Sequence, residues 1–287
     1  MAPYRGRFAP SPTGLLHQGS LLAALASWLD ARAHGGSWLI RMEDVDSPRV
    51  VPGAADAILA TLARFGLTSD EPVLYQSGRR AAYHEALQRL VDAQLSYRCR
   101  CAREARSLPA PCLCRDLVVT DADSAWRLRL DDAAIVVDDL IQGRSSYDPR
   151  LLGDPILYRR DGLAAYQLAV AVDDAHQGIS DVVRGADLLE STAWQIAILQ
   201  ALQLPVPRYA HIPLLTEPGG AKLAKSRRSV ALAGLDERGT LAEALGLLDI
   251  ALPEELKAAP VSDMLHWSVT HWSTARLSGI RAIALPN

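Results

Sequence analysis

The sequence predicts an α/β protein with a parallel sheet, an inserted segment and a short helical C-terminal region. Segments with strand and helix character alternate up to residue 95, stop at a cysteine cluster, and resume near residue 165. Strands that alternate with helices form a parallel sheet, because each helix carries the chain back to the start of the next strand. The expected parts are a core of residues 1–96 and 165–230, an insertion of residues 97–164, and a C-terminal helical region of residues 231–287.

The first half of the core is defined by the spacing of its apolar residues. Residues 4–9 are mostly apolar and run into the sequence Pro-Ser-Pro-Thr-Gly, which is typical of a strand followed by a turn. Apolar residues then recur at helical spacing from Leu21, and Gly19 and Ser20 suit the start of that helix. The same criteria predict a second strand from Trp38 and helices over residues 54–65 and 83–95.

The insertion and the second half of the core follow. Strand-like pieces in the insertion read WRLRL, AIVVDDL and PILYRR, separated by Asp, Gly and Ser. The alternation then resumes with the segment AYQLAVAVDDA. Further elements are expected as a strand near residues 179–184, a helix over 188–202 and a strand near 211–215. Two or three short helices are expected beyond residue 229.

Composition and charge limit the possible partners. Of the 287 residues, 49% are hydrophobic and 22% are charged, which is usual for a globular protein. The amino terminus lacks the features of a signal peptide, and no stretch is apolar enough to span a bilayer. We therefore expect a cytoplasmic protein with no membrane partner. A formal net charge of −3 argues against a general nucleic-acid binder, so we expect no DNA partner and only local contacts with RNA.

Lysine is rare in this chain. Of 30 basic residues only Lys222, Lys225 and Lys257 are lysines, and the first two lie in one pentapeptide, KLAKS. An ammonium group is a compact point charge, whereas the guanidinium group is a planar fork, so the two are not equivalent at a site. The pattern indicates a specific need for lysine at KLAKS; the alternative is chance clustering on a solvated loop.

Two segments contain candidate phosphate-binding residues. In PSPTGLLHQGS, His17 and Gly19 stand at the predicted start of a helix, where free N–H groups attract anions. A simple helix cap is the alternative there. About two hundred residues later, TEPGGAKLAKSRRS follows a predicted strand, and its Pro and Gly residues suit a loop that could bring Lys222 and Lys225 to a nucleotide.

Together these segments resemble the HIGH and KMSKS signatures of the class I aminoacyl-tRNA synthetases, and RFAPSPTG and VVRGADLL resemble the glutamyl subgroup. The resemblance covers residues 4–230. It implies a Rossmann-type catalytic core split by an insertion, ATP bound with Mg²⁺ between the two signatures, and attack of an amino-acid carboxylate on the α-phosphate. Ser20 stands where HIGH has its second histidine. The implied catalytic residues are His17, Gly19, Lys222 and Lys225, and the implied ATP-binding residues are these four and Ser226.

The glutamyl pattern also implies a pocket for L-glutamate. Two carboxylates and one ammonium group require two cationic partners and one anionic partner. Glu43 is assigned to the amino group, and Arg7, Arg184 and Tyr166 to the carboxylates, with the partner of each arginine left open. An ordinary ion pair between Arg7 and Glu43 is the alternative. The full implied set is Arg7, Phe8, Ala9, Pro10, Ser11, Glu43, Tyr166 and Arg184.

The four cysteines form two Cys-x-Cys pairs, Cys99 with Cys101 and Cys112 with Cys114. Four thiolates in this arrangement predict one structural zinc ion; buried free thiols and disulfides are the alternatives. A shortened branch of the glutamyl family has a zinc site here, with a tyrosine as the third ligand. That position holds Ala110 in this chain, so Cys112 is expected to replace the tyrosine.

The 58 residues after Ser229 are too few for the long anticodon-binding region of full glutamyl-tRNA synthetases. The chain therefore resembles the shortened branch, which attaches glutamate to queuosine in the anticodon of tRNA(Asp). Three alternatives stay open: a minimal synthetase that charges a tRNA 3' end, a non-catalytic RNA-binding paralogue, and an adenylyltransferase for a small molecule.

Overall fold

Parallel strands form the centre of the computed structural model, which describes residues 3–101, 112–120, 123–216, 232 and 234–284. The predicted α/β class is confirmed. The strands are β1 (Arg5–Phe8), β2 (Ser37–Met42), β3 (Leu74–Tyr75), β4 (Ser96–Cys99), β5 (Ala125–Leu128), β6 (Ile135–Asp139), β7 (Gly143–Tyr147), β8 (Ile156–Tyr158), β9 (Asp181–Gly185), β10 (Arg208–Ile212), β11 (Leu214–Thr216) and β12 (Ala282–Ala284). The helices are α1 (Gln18–Ala33), α2 (Ala54–Arg64), α3 (Arg80–Asp92), α4 (Pro149–Leu152), α5 (Tyr166–His176), α6 (Leu189–Ala201), α7 (Glu237–Leu247), α8 (Glu254–Lys257) and α9 (Val261–His271).

The central layer consists of two sheets that meet at β1 and β9. β2 pairs in parallel with β1 and β3, and β10 pairs in parallel with β9 and β6. The backbone N–H of Ser180, just before β9, donates to the carbonyl of Arg5 in β1 at 3.0 Å. From this junction the strands follow in the order β1, β2, β3 on one side and β9, β10, β6, β7 on the other. Such a reversal of strand order leaves a crevice at the carboxyl ends of the strands, where α/β proteins bind ligands.

Helices cover both faces of this layer, and the two faces of β2 show why residues 38–40 are apolar without a break. Trp38 and Ile40 point into a core shared with α1, α2, α7 and α9, whereas Leu39 points into a second core shared with α3, α5 and α6. Successive side chains of a strand point to opposite faces. A strand covered on both faces therefore needs an apolar residue at nearly every position.

The range expected to be an insertion contributes to two different sheets. β5 pairs antiparallel with β4 and β8, and this small sheet leads into the cysteine cluster. β6 and β7 instead join β10 in the central layer. The domain boundaries stay a prediction, but part of residues 97–164 lies in the same sheet as the core strands.

The strand expected near residues 211–215 is divided in the structure. β10 ends at Ile212 and β11 begins at Leu214, with Pro213 between them. Proline has no N–H to donate and interrupts the ladder at that point. β11 then pairs in parallel with β12, a strand that the sequence did not predict in a region expected to be helical.

The C-terminal region contains the expected short helices, α7, α8 and α9, and packs on α1. A buried carboxylate ties it there: the indole Nε1 of Trp272 donates to Asp30 in α1 at 2.8 Å, and the hydroxyl of Tyr4 donates to the same carboxylate. Among the residues that the structure describes, no helix has the length and apolar character needed to cross a membrane.

Candidate active site

A cavity of about 860 Å³ lies at the carboxyl ends of β1 and β9, beside the start of α1. Every residue predicted to bind glutamate lines it, together with the two residues of the first signature that were predicted to bind ATP. The cavity-lining residues from those predictions are Arg7, Phe8, Ala9, Pro10, Ser11, His17, Gly19, Glu43, Tyr166 and Arg184. Residues from positions 7 to 184 therefore meet at the crevice that the sheet topology creates.

Strand and helix ends place these side chains. Arg7 and Arg184 lie near the carboxyl ends of β1 and β9, and Tyr166 is the first residue of α5. Glu43 follows the last residue of β2, and its backbone N–H donates to the carbonyl of Pro10 at 2.9 Å. This bond joins the loop after β1 to the loop after β2, so the two loops form one wall of the cavity.

Arg7 is held by Asp174, a residue of α5 that was not among the predicted site residues. The Nε and Nη2 atoms of Arg7 donate to the two carboxylate oxygens of Asp174 at 3.1 and 3.2 Å. Arg41 Nη1 donates to the same carboxylate at 2.8 Å. Burial alone favours the neutral acid, but the two arginines outweigh it and lower the pKa of Asp174 to about 2. Asp174 is therefore an anion that fixes two cations.

Glu43 is not the ion-pair partner of Arg7, so the simple Arg7–Glu43 pair weighed from the sequence is wrong. Arg7 faces Asp174, and the cation nearest to Glu43 is Arg41, with 3.5 Å between Nη2 and Oε1. The Glu43 side chain is only 7% exposed, and burial raises the pKa of its carboxyl group. Arg41, Arg7 and Arg184 act against this rise without cancelling it. A buried carboxylate of this kind still favours a further cationic partner, such as an ammonium group.

Arg184 is a buried cation whose identified partners are neutral. Its Nε lies 3.1 Å from Nε2 of His211, and its Nη2 donates to Thr192 at 2.8 Å and to the amide oxygen of Gln195 at 2.7 Å. Nη1 is buried and has no hydrogen-bond partner among the described residues. An unpaired buried donor on a charged group is costly, so Arg184 favours a partner with negative charge.

His17 caps α1. Its Nδ1 accepts a hydrogen bond from the backbone N–H of Ser20 at 3.2 Å, and the helix begins one residue later, at Gln18. A Cβ on Gly19 would lie 3.4 Å from the His17 ring, so glycine keeps the space beside that ring open. The cap weighed as an alternative is thus present, at a helix start that faces the cavity. Lys222, Lys225 and Ser226 lie outside the described residues.

The four cysteines converge on one point. The Sγ atoms of Cys99, Cys101, Cys112 and Cys114 all lie within 4.8 Å of one another. Cys112 is 3.3 Å from Cys99 and 3.4 Å from Cys101, and Cys101 is 3.5 Å from Cys114. Tetrahedral zinc with bonds of about 2.3 Å would set its sulfurs about 3.8 Å apart, so this donor set fits one metal ion with a small outward shift. None of the four forms a disulfide.

Sequence reasoning missed several buried polar residues that support the site. Asp174 and Arg41 surround Arg7 and Glu43, and Asp139 and His211 lie behind Arg184. A weak signal was available, because Asp173 and Asp174 interrupt the apolar face of a helix and Arg41 interrupts an apolar strand. Buried charges need partners, but the sequence does not say which residues those partners are.

Comparison with known proteins agrees with this geometry. A family model described as "tRNA synthetases class I (E and Q), catalytic domain" matches residues 4–107 and 115–248. The matched ranges include β1, α1, β9 and β10, and they hold every residue named above around the cavity.

Two curated relatives and one solved structure give finer comparisons. A Glutamyl-Q tRNA(Asp) synthetase of Burkholderia cenocepacia (strain HI2424) is 50% identical, with 97% of this chain and 98% of the relative covered. The protein of that name in Ectopseudomonas mendocina is 47% identical, with 98% and 97% covered. A glutamate tRNA ligase from Elizabethkingia meningosepticum, solved in complex with its amino acid, superposes with a TM-score of 0.71 at 28% identity. The superposition covers 81% of this chain but 53% of that ligase.

Proposed function

The chain belongs to the class I tRNA synthetases for glutamate and glutamine, and from that premise we propose that it attaches glutamate to queuosine in the anticodon of tRNA(Asp). It is a ligase that first activates L-glutamate with ATP and then transfers the glutamyl group to the RNA. The two relatives that match it over nearly their whole length are named for this activity. The predicted cytoplasmic location suits a tRNA substrate.

The observation that carries the glutamate assignment is the charge arrangement of the cavity. The charge of Arg7 is matched by Asp174, and that of Arg41 is shared between Asp174 and Glu43. Arg184 lines the cavity with neutral neighbours and an unpaired Nη1. A substrate carboxylate would supply the missing anion at Arg184, and Glu43 would take the substrate ammonium group.

The proposed chemistry has two balanced steps. A carboxylate oxygen of glutamate attacks the α-phosphate of ATP, the bond to the leaving group breaks, and pyrophosphate departs, which leaves glutamyl-adenylate. A hydroxyl group of queuosine then attacks the activated carbonyl, loses its proton and releases AMP. Neither step needs a covalent nucleophile from the protein, so alignment and charge stabilisation are its contributions.

The two signatures have complementary proposed roles in the first step. The start of α1, with His17 and Gly19, offers backbone N–H groups and a positive helix end to the phosphates. Lys222, Lys225 and Ser226 are proposed to approach from the opposite side. Mg²⁺ is proposed to accompany ATP and to neutralise part of the phosphate charge.

A structural zinc ion is proposed for the cysteine cluster. Thiolate sulfur is a preferred zinc donor, and four donors from two short segments complete a closed tetrahedral site with no open position for catalysis. Cys99 is the last residue of β4, and the cysteines pack with Tyr97 of that strand and with Val119. We assign the cluster to folding of this region and not to the glutamyl transfer.

The acceptor is tested with radiolabelled glutamate and tRNA of defined modification. Aspartate tRNA is prepared from cells that make queuosine and from cells that do not, and each sample is used with and without its 3'-terminal adenosine. Labelling is expected to require queuosine and to survive removal of the adenosine. Labelling that needs the adenosine and ignores queuosine would instead identify a minimal glutamyl-tRNA synthetase, and no activation of glutamate at all would favour a non-catalytic RNA-binding protein.

A further inference from the structure

Behind Arg184 lies a buried chain of hydrogen bonds that does not touch the cavity. His211 in β10 is fully buried; its Nδ1 lies 2.6 Å from Oδ2 of Asp139, and its Nε2 lies 3.1 Å from Nε of Arg184. Arg184 is one of the described residues that line the cavity, whereas Asp139 and His211 are not among them. Arg184 is therefore the side chain that connects these two residues to the cavity by hydrogen bonds.

The contacts at its two ends determine the tautomer of His211. The guanidinium Nε of Arg184 always carries a hydrogen, so the imidazole Nε2 that faces it must be the acceptor. The single ring proton is then on Nδ1, which donates to Asp139. The hydroxyl of Thr192 also lies 3.0 Å from Nε2, and it is compatible with the same tautomer.

The hydrogen bonds around Asp139 favour its ionised form. Its Oδ1 accepts the backbone N–H groups of Ile141, Gln142 and His211 at 3.0, 2.8 and 3.1 Å, which leaves Oδ2 for the imidazole. Burial opposes ionisation, but the hydrogen bond from His211 and these N–H groups lower the pKa of Asp139 below its ordinary value. For His211, burial is the main cause of a lowered pKa, so the ring is neutral.

We propose that Asp139 and His211 are positioning residues that fix the direction of Arg184 and thereby set the preference for a carboxylate over an amide in the substrate. The inference rests on the proposed glutamate activation. With Nε held by His211 and Nη2 held by Thr192 and Gln195, the direction of the guanidinium plane is fixed. Nη1 is the nitrogen of this group that has no hydrogen-bond partner among the described residues. Because all three holders are neutral, the positive charge of Arg184 stays available to the substrate.

Asp139→Asn is the decisive variant, because it keeps the shape and changes the proton arrangement. The new amide oxygen can still accept the backbone N–H groups, and the amide nitrogen would donate to Nδ1 of His211. The ring proton is then forced onto Nε2, where it opposes the N–H of Arg184; a wrong tautomer of this kind is known to disable a histidine whose carboxylate partner is changed. Arg184 must turn away from its present direction.

The expected result is a selective loss. In pyrophosphate exchange, the KM for glutamate should rise by about 10- to 100-fold, as expected when a binding group is displaced by about 1 Å. The KM for ATP should change by less than about twofold, and the preference for glutamate over glutamine should fall. The matched control is Asp30→Asn, since Asp30 is also a buried carboxylate with two side-chain partners, Tyr4 and Trp272, but does not line the cavity. It should leave the KM for glutamate unchanged.

A spectroscopic measurement separates positioning from a general structural effect. Nitrogen-15 shifts of the imidazole, assigned with His211→Gln, should report the Nδ1–H tautomer in the wild type and the Nε2–H tautomer in Asp139→Asn. In the single variant His211→Gln, the amide nitrogen can donate to Asp139 and the amide oxygen can accept from Arg184, so much of the glutamate affinity should be kept. If Asp139→Asn does not fold, His211→Asn keeps a donor for Asp139 but is too short to reach Arg184, and it should show the same selective loss.

The outcomes are distinguishable from failure of the proposed function. A wild-type protein that exchanges no pyrophosphate with glutamate would overturn that function, whatever the tautomer. The positioning inference alone would be overturned if the wild type exchanges pyrophosphate with glutamate and a folded Asp139→Asn or His211→Asn variant behaves in the same way. Such a variant would keep both the KM for glutamate and the preference for glutamate over glutamine. An Nε2–H tautomer in the wild type would overturn it as well.

Discussion

Arg7 of β1 and Asp174 of α5 form a two-point ion pair across 167 residues of sequence, with donor–acceptor distances of 3.1 and 3.2 Å. The same carboxylate accepts a bond from Arg41 of β2 at 2.8 Å. One side chain of a helix thus holds two neighbouring strands at the place where they meet the cavity. The direction of Arg7, and with it one proposed contact to glutamate, depends on Asp174.

Replacing Asp174 should be strongly destabilising. Asp174→Asn keeps the volume but leaves the buried Arg7 without its anion and Arg41 with Glu43 alone. Breaking a buried pair in this way costs about 3–5 kcal/mol of the free energy of unfolding. Urea unfolding measures the change. Glu71→Gln is the control, because its pair with the partly exposed Arg5 lies at the surface and should contribute about 0–1 kcal/mol. If Asp174→Asn lowers the free energy of unfolding no more than Glu71→Gln does, the ion pair of Asp174 is not essential for stability.

The contribution of Asp174 should also depend on pH in a defined direction. Its pKa is lowered from 3.8 to about 2, so the stabilisation is complete above 3.8 and is lost as the pH falls towards 2. A shift of this size corresponds to about 2 kcal/mol. The stability difference between wild type and Asp174→Asn should therefore shrink between about pH 5 and pH 2. The raised pKa of Glu43 acts in the opposite direction, and the charge of Asp174 is one of its causes, so the variant lowers that smaller contribution as well. A difference independent of pH would contradict the assignment.

The cavity should discriminate strongly between glutamate and glutamine. An amide cannot neutralise Arg184, and it leaves Nη1 of that residue poorly matched, so kcat/KM for glutamine should be lower by about 10⁴-fold. Arg184→Gln should reduce kcat/KM for glutamate by about 10²- to 10³-fold and narrow the gap to glutamine. Arg208→Gln, at a mostly exposed arginine of the adjacent strand β10, should do neither. Equal use of both amino acids by the wild type would refute the pocket assignment.

Lys225 lies outside the described residues, and its role is predicted from the KLAKS signature. Lys225→Ala should lower kcat of pyrophosphate exchange by about 10²- to 10³-fold with little change in the KM for glutamate, because the charge acts mainly on the transition state. Lys257→Ala removes a lysine that instead pairs with Glu254 on an exposed helix. It should behave as the wild type. A rise in the glutamate KM as large as the loss in kcat would place Lys225 at the amino acid and not at the phosphates.

One zinc ion per chain should be found in the purified protein by elemental analysis. Cys112→Ser should lower the zinc content and the stability of the region, because three thiolates bind zinc more weakly than four. Leu113→Ala changes the adjacent side chain, which is 84% exposed, and should retain the metal. Full zinc retention in Cys112→Ser would mean that the third ligand lies elsewhere in the chain.

Periodicity and turn residues were sufficient for most of the core. The elements β1, α1, β2, α2, β9 and α6 lie within a few residues of their predicted positions, because each has an apolar pattern of one period bounded by glycine, proline or polar residues. The residues predicted to bind glutamate were taken from short motifs, and all of them line one cavity. The two Cys-x-Cys pairs were sufficient to predict convergence of four thiols.

The sequence by itself therefore determined the fold class, the family and the residues around the cavity, since these depend on local patterns and on short motifs. Only the tertiary structure decided that Asp174 and not Glu43 is the partner of Arg7, that His211 lies between Asp139 and Arg184, and that β12 adds to β11. These pairings join residues far apart in the chain. They are selected by the packing of whole elements, because a buried charge takes whichever opposite charge the fold brings within reach, and no local pattern records that choice.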